Sequence, residues 1–206
     1  MFLRQGIPSK YELHARYAIA IFPLSDVDNQ LLQEIRQGLF KALKRNDLDY
    51  IILEKTNPPL ESAYNPVRRQ YHATKILAWI ERVAQELGVF RILGIVDVDL
   101  YVPYLNFVFG EARCPGRSAL ISLYRLRPEV YGQPPNQSIF YERAVKEAVH
   151  EIGHTFGLGH CDSFRCVMFF SNSIYDTDNK PPLFCSRCQI KLDKLISWFL
   201  QEAKAL

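Results

Sequence analysis

The sequence concentrates metal-ligand side chains between residues 150 and 168, HEIGHTFGLGHCDSFRCVM. Three of the five histidines in the chain lie in the first eleven residues of this stretch, and two of the five cysteines follow directly. Histidine nitrogen and cysteine sulfur are the ligands that zinc prefers in proteins. Two ligand sets of different chemical type therefore meet at His160 and Cys161.

His150 and His154 are four residues apart, so on a helix their imidazoles point to the same side. At about 100° per residue, the apolar side chains of this segment share the opposite side. The apolar set is Ala144, Val145, Ala148, Val149, Ile152 and Phe156, and the polar side also holds Arg143 and Glu147. The pattern predicts a helix that buries one face and presents two imidazoles to a cleft. Gly157 can turn the chain back and bring His160 to the same metal.

Three neutral nitrogens with an open fourth position are typical of a catalytic zinc site. A bound zinc ion lowers the pKa of its water ligand to about 7. Glu151 stands beside the first ligand, where it can take a proton from that water and deliver it to a leaving amine. A bare H-E-x-x-H occurs by chance, but here H-E-x-x-H-x-x-G-x-x-H is complete, which favours a metal site over ordinary histidine contacts.

Four of the five cysteines form two short pairs, C-x4-C and C-x2-C, that are 18 residues apart. Four thiolates that close a tetrahedron make a structural zinc site, which would fix a segment poor in apolar residues against the last helix. Disulfides and free thiols are the alternatives. The predicted ligands are Cys161, Cys166, Cys185 and Cys188, whereas Cys114 has no partner in the pattern and is predicted to be an ordinary buried or half-buried thiol.

With these motifs the sequence resembles the archaemetzincins, a family of metzincin zinc peptidases. That family continues the histidine motif directly into C-x4-C-x-M and ends with C-x2-C, as residues 161 to 188 do here. Residues 92 to 110 also resemble its sheet region. The resemblance implies a catalytic zinc on His150, His154 and His160, with Glu151 as general base and acid and Met168 beneath the zinc. Some metzincins carry a tyrosine two residues after the methionine, a position that Phe170 occupies here without a hydroxyl.

The resemblance also implies a metzincin-like zincin fold of the α/β (α+β) class, a twisted mixed β-sheet with helices. One catalytic domain would span residues 1–206. Its N-terminal subdomain, 1–157, would hold the sheet and the active-site helix. A small C-terminal subdomain, 158–206, would hold the methionine turn, the structural zinc and a last helix.

Hydrophobic periodicity gives an independent outline of the elements. It predicts a mixed, mostly parallel sheet covered by helices, with an irregular segment before the last helix. In metzincin-like folds an antiparallel edge strand lines the cleft, so the resemblance implies that residues 118–125 do this and pair with an extended peptide. The predicted strands are 15–22, 49–55, 90–96, 105–110 and 118–126, and the predicted helices are 26–45, 66–87, one capped by Asn136 or Ser138, and one from 186 to the end.

Composition limits the partners. The 25 basic and 22 acidic residues give a net charge of +3, too weak to indicate nucleic acid, and no apolar stretch reaches membrane-spanning length. The N-terminus lacks the pattern of a signal peptide. We therefore expect a cytoplasmic monomer that acts on peptide or protein substrates, with no nucleic-acid or membrane partner.

Other polar residues give weaker signals. Isolated histidines usually have satisfied structural roles, strand-end aspartates usually cap turns rather than bind cations, and paired arginines usually lie at the surface, although one could bind a substrate carboxylate. These residues are His14 and His72, Asp97 and Asp99, and Arg68 and Arg69.

The sequence thus predicts a zinc-dependent peptidase with two zinc ions, one catalytic and one structural. The alternative is a catalytically silent zinc protein whose cleft binds peptides or partner proteins. Glu151 favours the enzyme, because a pure binder needs no base beside the metal. A zinc module for nucleic acid fits the weak net charge least.

Overall fold

The computed structural model describes residues 17–205. Eight strands and five helices, each numbered in chain order, form a mixed α/β structure. The strands are β1 (Ala18–Pro23), β2 (Asp49–Ile52), β3 (Tyr64–Asn65), β4 (Gln70–His72), β5 (Arg91–Val96), β6 (Leu100–Tyr101), β7 (Gly110–Ala112) and β8 (Ser118–Ser122). The helices are α1 (Asn29–Leu43), α2 (Ala73–Leu87), α3 (Gln137–Thr155), α4 (Ile174–Asn179) and α5 (Ser186–Ala205).

The main sheet has the strand order β2-β1-β5-β8-β7. The first four strands are parallel, and β7 joins antiparallel at the edge, with Gly110 opposite Ile121. Every residue of β1, β5 and β8 is buried, as the continuous apolar runs indicate. The predicted mixed, mostly parallel sheet is confirmed. The prediction that 118–125 is the edge strand is wrong, because β8 is paired on both sides and the edge strand is β7.

Helices cover both faces of this sheet. On one face α1 and α3 pack together over Ile19, Leu93 and Ile121. On the other face α2 packs over Ala20, Ile92 and Leu120. Local signals set the helix ends: the Asp28 carboxylate caps α1, and Gly88, with a positive φ of 67°, ends α2.

Several predicted elements differ from the structure in their bounds. The second helix begins at Ala73 rather than Pro66, because the Asn65 side chain accepts hydrogen bonds from the backbone of Val67 and Arg68 and folds them into a turn. β3 and β4 flank this turn and form a small second sheet with β6. The strand predicted from residue 105 begins only at 110, and the predicted irregular segment contains α4, with a capping box between Ser173 and Asp176.

His14 and the first two residues of the predicted strand 15–22 lie outside the described residues. Between residues 17 and 205, no helix is both long enough and apolar enough to cross a bilayer.

Candidate active site and metal centres

α3 carries both His150 and His154, and both side chains line the cleft. Asn136 caps this helix through a hydrogen bond from the Ile139 N–H, and the apolar face of the helix packs in the core as predicted. The Nδ1 atom of His150 lies 2.7 Å from the Val167 carbonyl, and Nδ1 of His154 lies 2.7 Å from the Leu158 carbonyl. A carbonyl can only accept, so both Nδ1 atoms carry the proton and both Nε2 atoms present lone pairs.

These two lone pairs face each other, with the Nε2 atoms only 3.1 Å apart. Gly157, at a φ of 92°, turns the chain and brings the His160 ring to 4.9 Å from the His154 ring. The ligand nitrogens of the three histidines lie within 4.8 Å of one another. Tetrahedral zinc with Zn–N bonds near 2.1 Å separates its nitrogens by about 3.4 Å. A shared cation therefore fits this donor set, because acceptor nitrogens this close repel without one.

Desolvation favours the neutral form of the three rings, which is the form that binds a metal. Burial lowers the pKa of His154 to about 4. Burial also moves the pKa of His150 well below its ordinary value, with a smaller contribution from the positive charge of Lys180, and the same two causes lower the pKa of His160.

Glu151 lies beside His150 with 5% of its surface exposed. Burial raises the pKa of its carboxyl well above the ordinary value; the nearby negative charge of Glu147 adds to this increase, and Lys180 opposes it. No hydrogen bond or ion pair reaches the carboxylate from residues 17–205. Its side chain instead packs against the backbone of Gly110 on β7.

Met168 lies against the active-site helix at Gly153. A Cβ placed on Gly153 would lie 2.6 Å from the Met168 sulfur, so the thioether rests on the turn of α3 between the two histidines. Phe170 follows on the cleft side, with its ring centroid 4.7 Å from that of His160. The ring brings no hydroxyl to the cleft.

The four clustered cysteines converge next to this site. Their sulfur atoms lie within 4.8 Å of one another, and all four are free thiols. The Sγ atoms of Cys161 and Cys185 are 3.9 Å apart, close to the spacing of about 3.8 Å that tetrahedral zinc with 2.3 Å Zn–S bonds requires. Burial works against ionisation of Cys185, but hydrogen bonds from the Cys188 backbone and from neighbouring thiols lower its pKa to about 7. The donor set fits a closed zinc site.

A buried ion pair lies on the floor of the cleft. The Lys180 ammonium is 3.1 Å from a Glu147 carboxylate oxygen, and the two side chains are 1% and 4% exposed. Lys180 also donates to the Phe169 carbonyl, and Thr177 donates to Glu147. Sequence reasoning placed Glu147 on the polar side of α3 but missed Lys180, which stands in the polar stretch TDNKPP without any periodic signal.

The weaker candidates have structural partners. Asp97 pairs with Arg127 and Asp99 with Arg125, each through two hydrogen bonds, so neither aspartate is free for a cation. Arg68 lies before α2, where it donates to the Leu105 and Asn106 carbonyls.

Two histidine and cysteine predictions are wrong in detail. His72 was expected to be satisfied, but its Nδ1 atom is buried and has no hydrogen-bond partner among residues 17–205. Cys114 is an exposed thiol rather than a buried or half-buried one, and it lines the cleft close to the Leu158 carbonyl.

The cleft has a volume of about 480 Å³. Its walls include the segment from Leu105 to Ala112, which contains β7, and the segment from Phe170 to Asn172. The three histidines, Glu151 and the Lys180–Glu147 pair also line it.

Comparison with known proteins gives consistent matches. The sequence model described as "Peptidase family M54" matches residues 17–194. Archaemetzincins from Thermococcus kodakarensis and Methanocaldococcus jannaschii are 41% and 45% identical; each alignment covers 84% of this chain, and they cover 94% and 92% of the relatives.

Comparison with solved structures gives matches of the same kind. A zinc-dependent peptidase from Methanocorpusculum labreanum superposes with a TM-score of 0.77 at 32% identity, over 84% of this chain and 99% of that one. An archaemetzincin from Archaeoglobus fulgidus, solved with malonate, superposes with a TM-score of 0.70 at 38% identity over the same shares.

Proposed function

The chain belongs to peptidase family M54, the archaemetzincins, and is a zinc metallopeptidase; on that premise we propose that Glu151 is its general base and acid. We propose further that His150, His154 and His160 hold the catalytic zinc. The observation that carries the proposal is the convergence of three neutral histidine nitrogens beside an unanchored carboxylate at the floor of one cleft. Peptides or proteins are the substrates of such an enzyme.

When bound, zinc supplies the Lewis acidity that makes water nucleophilic at neutral pH and polarises a carbonyl. The backbone carbonyls of Val167 and Leu158 hold two of the imidazoles in the tautomer that leaves Nε2 free for the metal. Glu151 accepts the proton of the attacking water and delivers it to the amine that leaves. Because no donor in the described part of the chain competes for its carboxylate, both oxygens are available for this transfer.

The edge strand β7 is the site where the substrate backbone binds. Antiparallel pairing directs alternate residues toward the neighbouring strand: the Phe109 carbonyl accepts from Ser122, and the Arg113 N–H donates to Ser118. The backbone groups of Gly110 and Ala112 therefore point into the cleft. An extended peptide can add there as a further strand, above the histidines.

The second zinc is structural and is bound by Cys161, Cys166, Cys185 and Cys188. It joins the segment after the third histidine to the start of α5. We assign the part before residue 158 to the sheet-bearing subdomain and 158–206 to the C-terminal one, with the cleft between them. The five free thiols suit a reducing compartment, and the small net charge suits a cytoplasmic monomer without a nucleic-acid or membrane partner.

The test is Glu151→Gln in the zinc-loaded chain, assayed on a mixed peptide library. The variant keeps the size of the side chain but cannot accept the proton, so we expect turnover to fall by at least about 100-fold with the zinc content unchanged. Glu86→Gln, an exposed residue of α2, is the matched control and should behave as wild type. Full activity in Glu151→Gln would refute the assignment.

A further inference from the structure

We infer that Gly110 is a positioning residue that seats the Glu151 carboxylate; the inference rests on the proposed role of Glu151. A Cβ atom on Gly110 would lie 2.7 Å from both Cγ and Oε1 of Glu151. Contacts of that length do not occur between real side chains. Glu151 therefore occupies the space that a side chain at position 110 would fill.

This contact is what fixes the base. A buried carboxylate is normally held by hydrogen bonds, as Glu147 is by Lys180 and Thr177. Glu151 is equally buried, yet no donor within residues 17–205 holds it. Steric contact with the strand backbone is a suitable restraint for a group that must exchange protons, because a hydrogen-bond donor would compete with the attacking water.

The same glycine also lies where substrate binds. Gly110 is opposite Ile121 in the sheet, and its own N–H and carbonyl point into the cleft. Gly110 thus packs against the base and presents its own N–H and carbonyl to a peptide backbone. It sets the distance between the two, which for a proton transfer must be held within a fraction of an ångström.

A structural explanation has to be separated from this one. The added Cβ would also lie 2.6 Å from the Leu120 carbonyl oxygen of β8, so glycine also permits close strand pairing. If pairing were the only reason for glycine, Gly110→Ala would disturb the sheet equally whether or not Glu151 is present. If Glu151 is seated on Gly110, truncating Glu151 must relieve part of the effect.

The first measurement is steady-state kinetics of the zinc-loaded full chain. Gly110→Ala should lower kcat by about 100-fold, the cost of displacing a catalytic group by about 1 Å, with KM within about threefold and the zinc content unchanged. The control is Gly38→Ala, whose Cβ would meet Val145 of the active-site helix at 2.4 Å, away from the cleft. It should lower the thermal midpoint but leave kcat unchanged.

The second measurement needs no activity. The fall in thermal midpoint caused by Gly110→Ala should be smaller in a Glu151→Ala background than in wild type, whereas that caused by Gly38→Ala should be the same in both. If Gly110→Ala does not fold, the double variant with Glu151→Ala must fold. An unchanged kcat, or equal falls in both backgrounds, would overturn the inference. An inactive wild type would refute the proposed function, yet the stability comparison would still test the contact.

Discussion

The backbone N–H of Cys161 donates to the carbonyl of Met168 over 2.8 Å. A short parallel bridge between Cys161 and Phe169 continues this contact. Cys161, the first cysteine of the thiol cluster, is therefore hydrogen-bonded to the methionine turn that lies under the histidines. His160 directly precedes Cys161 in the chain. The two candidate metal centres share one piece of backbone, so we expect a change at the cysteines to reach the third histidine.

Loss of the cysteine zinc should weaken the catalytic zinc as well. Cys188→Ser removes one of four thiolates at the start of α5 but leaves the histidines untouched. We expect the zinc content to fall from the proposed two per chain to below one after dialysis against a mild chelator, because the loop that carries His160 is no longer fixed. Cys114→Ser, outside the cluster, should keep both metals. Retention of one tightly held zinc in Cys188→Ser would show that the two centres are independent.

The ion pair between Lys180 and Glu147 should matter for stability far more than a surface pair. Lys180→Met leaves the Glu147 charge buried without a partner, so the free energy of unfolding in urea should fall by about 3–5 kcal/mol. Adding Glu147→Gln removes that charge and keeps an acceptor for Thr177, so most of the loss should be recovered.

The comparison for this pair is Lys55→Met. Lys55 pairs with Asp26 at the surface, where the side chains are 45% and 94% exposed, and its loss should cost less than about 1 kcal/mol. Equal effects of the two lysine substitutions would contradict the importance of burial.

The convergence of the three histidines was predictable because their spacing is fixed by a helix and a sharp turn that short-range signals encode. His150 and His154 required only the helical period, and Gly157 supplied the turn. The central strands were predictable for a similar reason, since continuous apolar runs indicate strands that are buried on both faces.

The edge strand and the floor of the cleft could not be predicted in this way. β7 consists of only three residues, Gly110–Ala112, too few to show a period. An apolar run such as 118–122 does not say which neighbours it pairs with. Lys180 reaches Glu147 across 33 residues of chain, and such a contact follows from the tertiary packing of α4 on α3 rather than from any local pattern.

The link between Tyr141 and Asp28 should be visible in the pH dependence of stability. A hydrogen bond from the Tyr141 hydroxyl, with a second from the Gln30 N–H, lowers the pKa of the Asp28 carboxyl below its ordinary value. A carboxyl whose pKa is lowered in the folded state stabilises that state above its unfolded pKa, about 3.9, and the contribution is lost as the pH falls through the folded value.

Tyr141→Phe should therefore have a lower thermal midpoint than wild type at pH 6, and the difference should shrink below about pH 4. The carboxyl of Asp28, followed by NMR, should titrate closer to its ordinary pKa in the variant. Tyr175→Phe, an exposed tyrosine of α4, provides the control for loss of a phenol hydroxyl. A difference that stays constant down to about pH 3 would exclude this linkage.

Arg68 should control the shape of the cleft without contributing to its chemistry. Its guanidinium donates to the Leu105 and Asn106 carbonyls over 2.8 and 2.9 Å and lies 4.4 Å from the Tyr101 ring, which pins the wall that leads into β7. Arg68→Ala should lower kcat/KM by about tenfold, mainly through KM, because a loosened wall must be ordered when a peptide binds.

Arg68→Lys should not restore activity, because an ammonium lacks the planar fork that reaches both carbonyls. Arg82→Ala, an exposed arginine on α2, should be unaffected, and every variant should keep its zinc. The decisive measurement is kcat and KM on one peptide across the three variants. Gln70 also donates to the Asn106 carbonyl, and Arg125 pairs with Asp99. An unchanged KM in Arg68→Ala would mean that these two contacts hold the wall and that Arg68 only covers them.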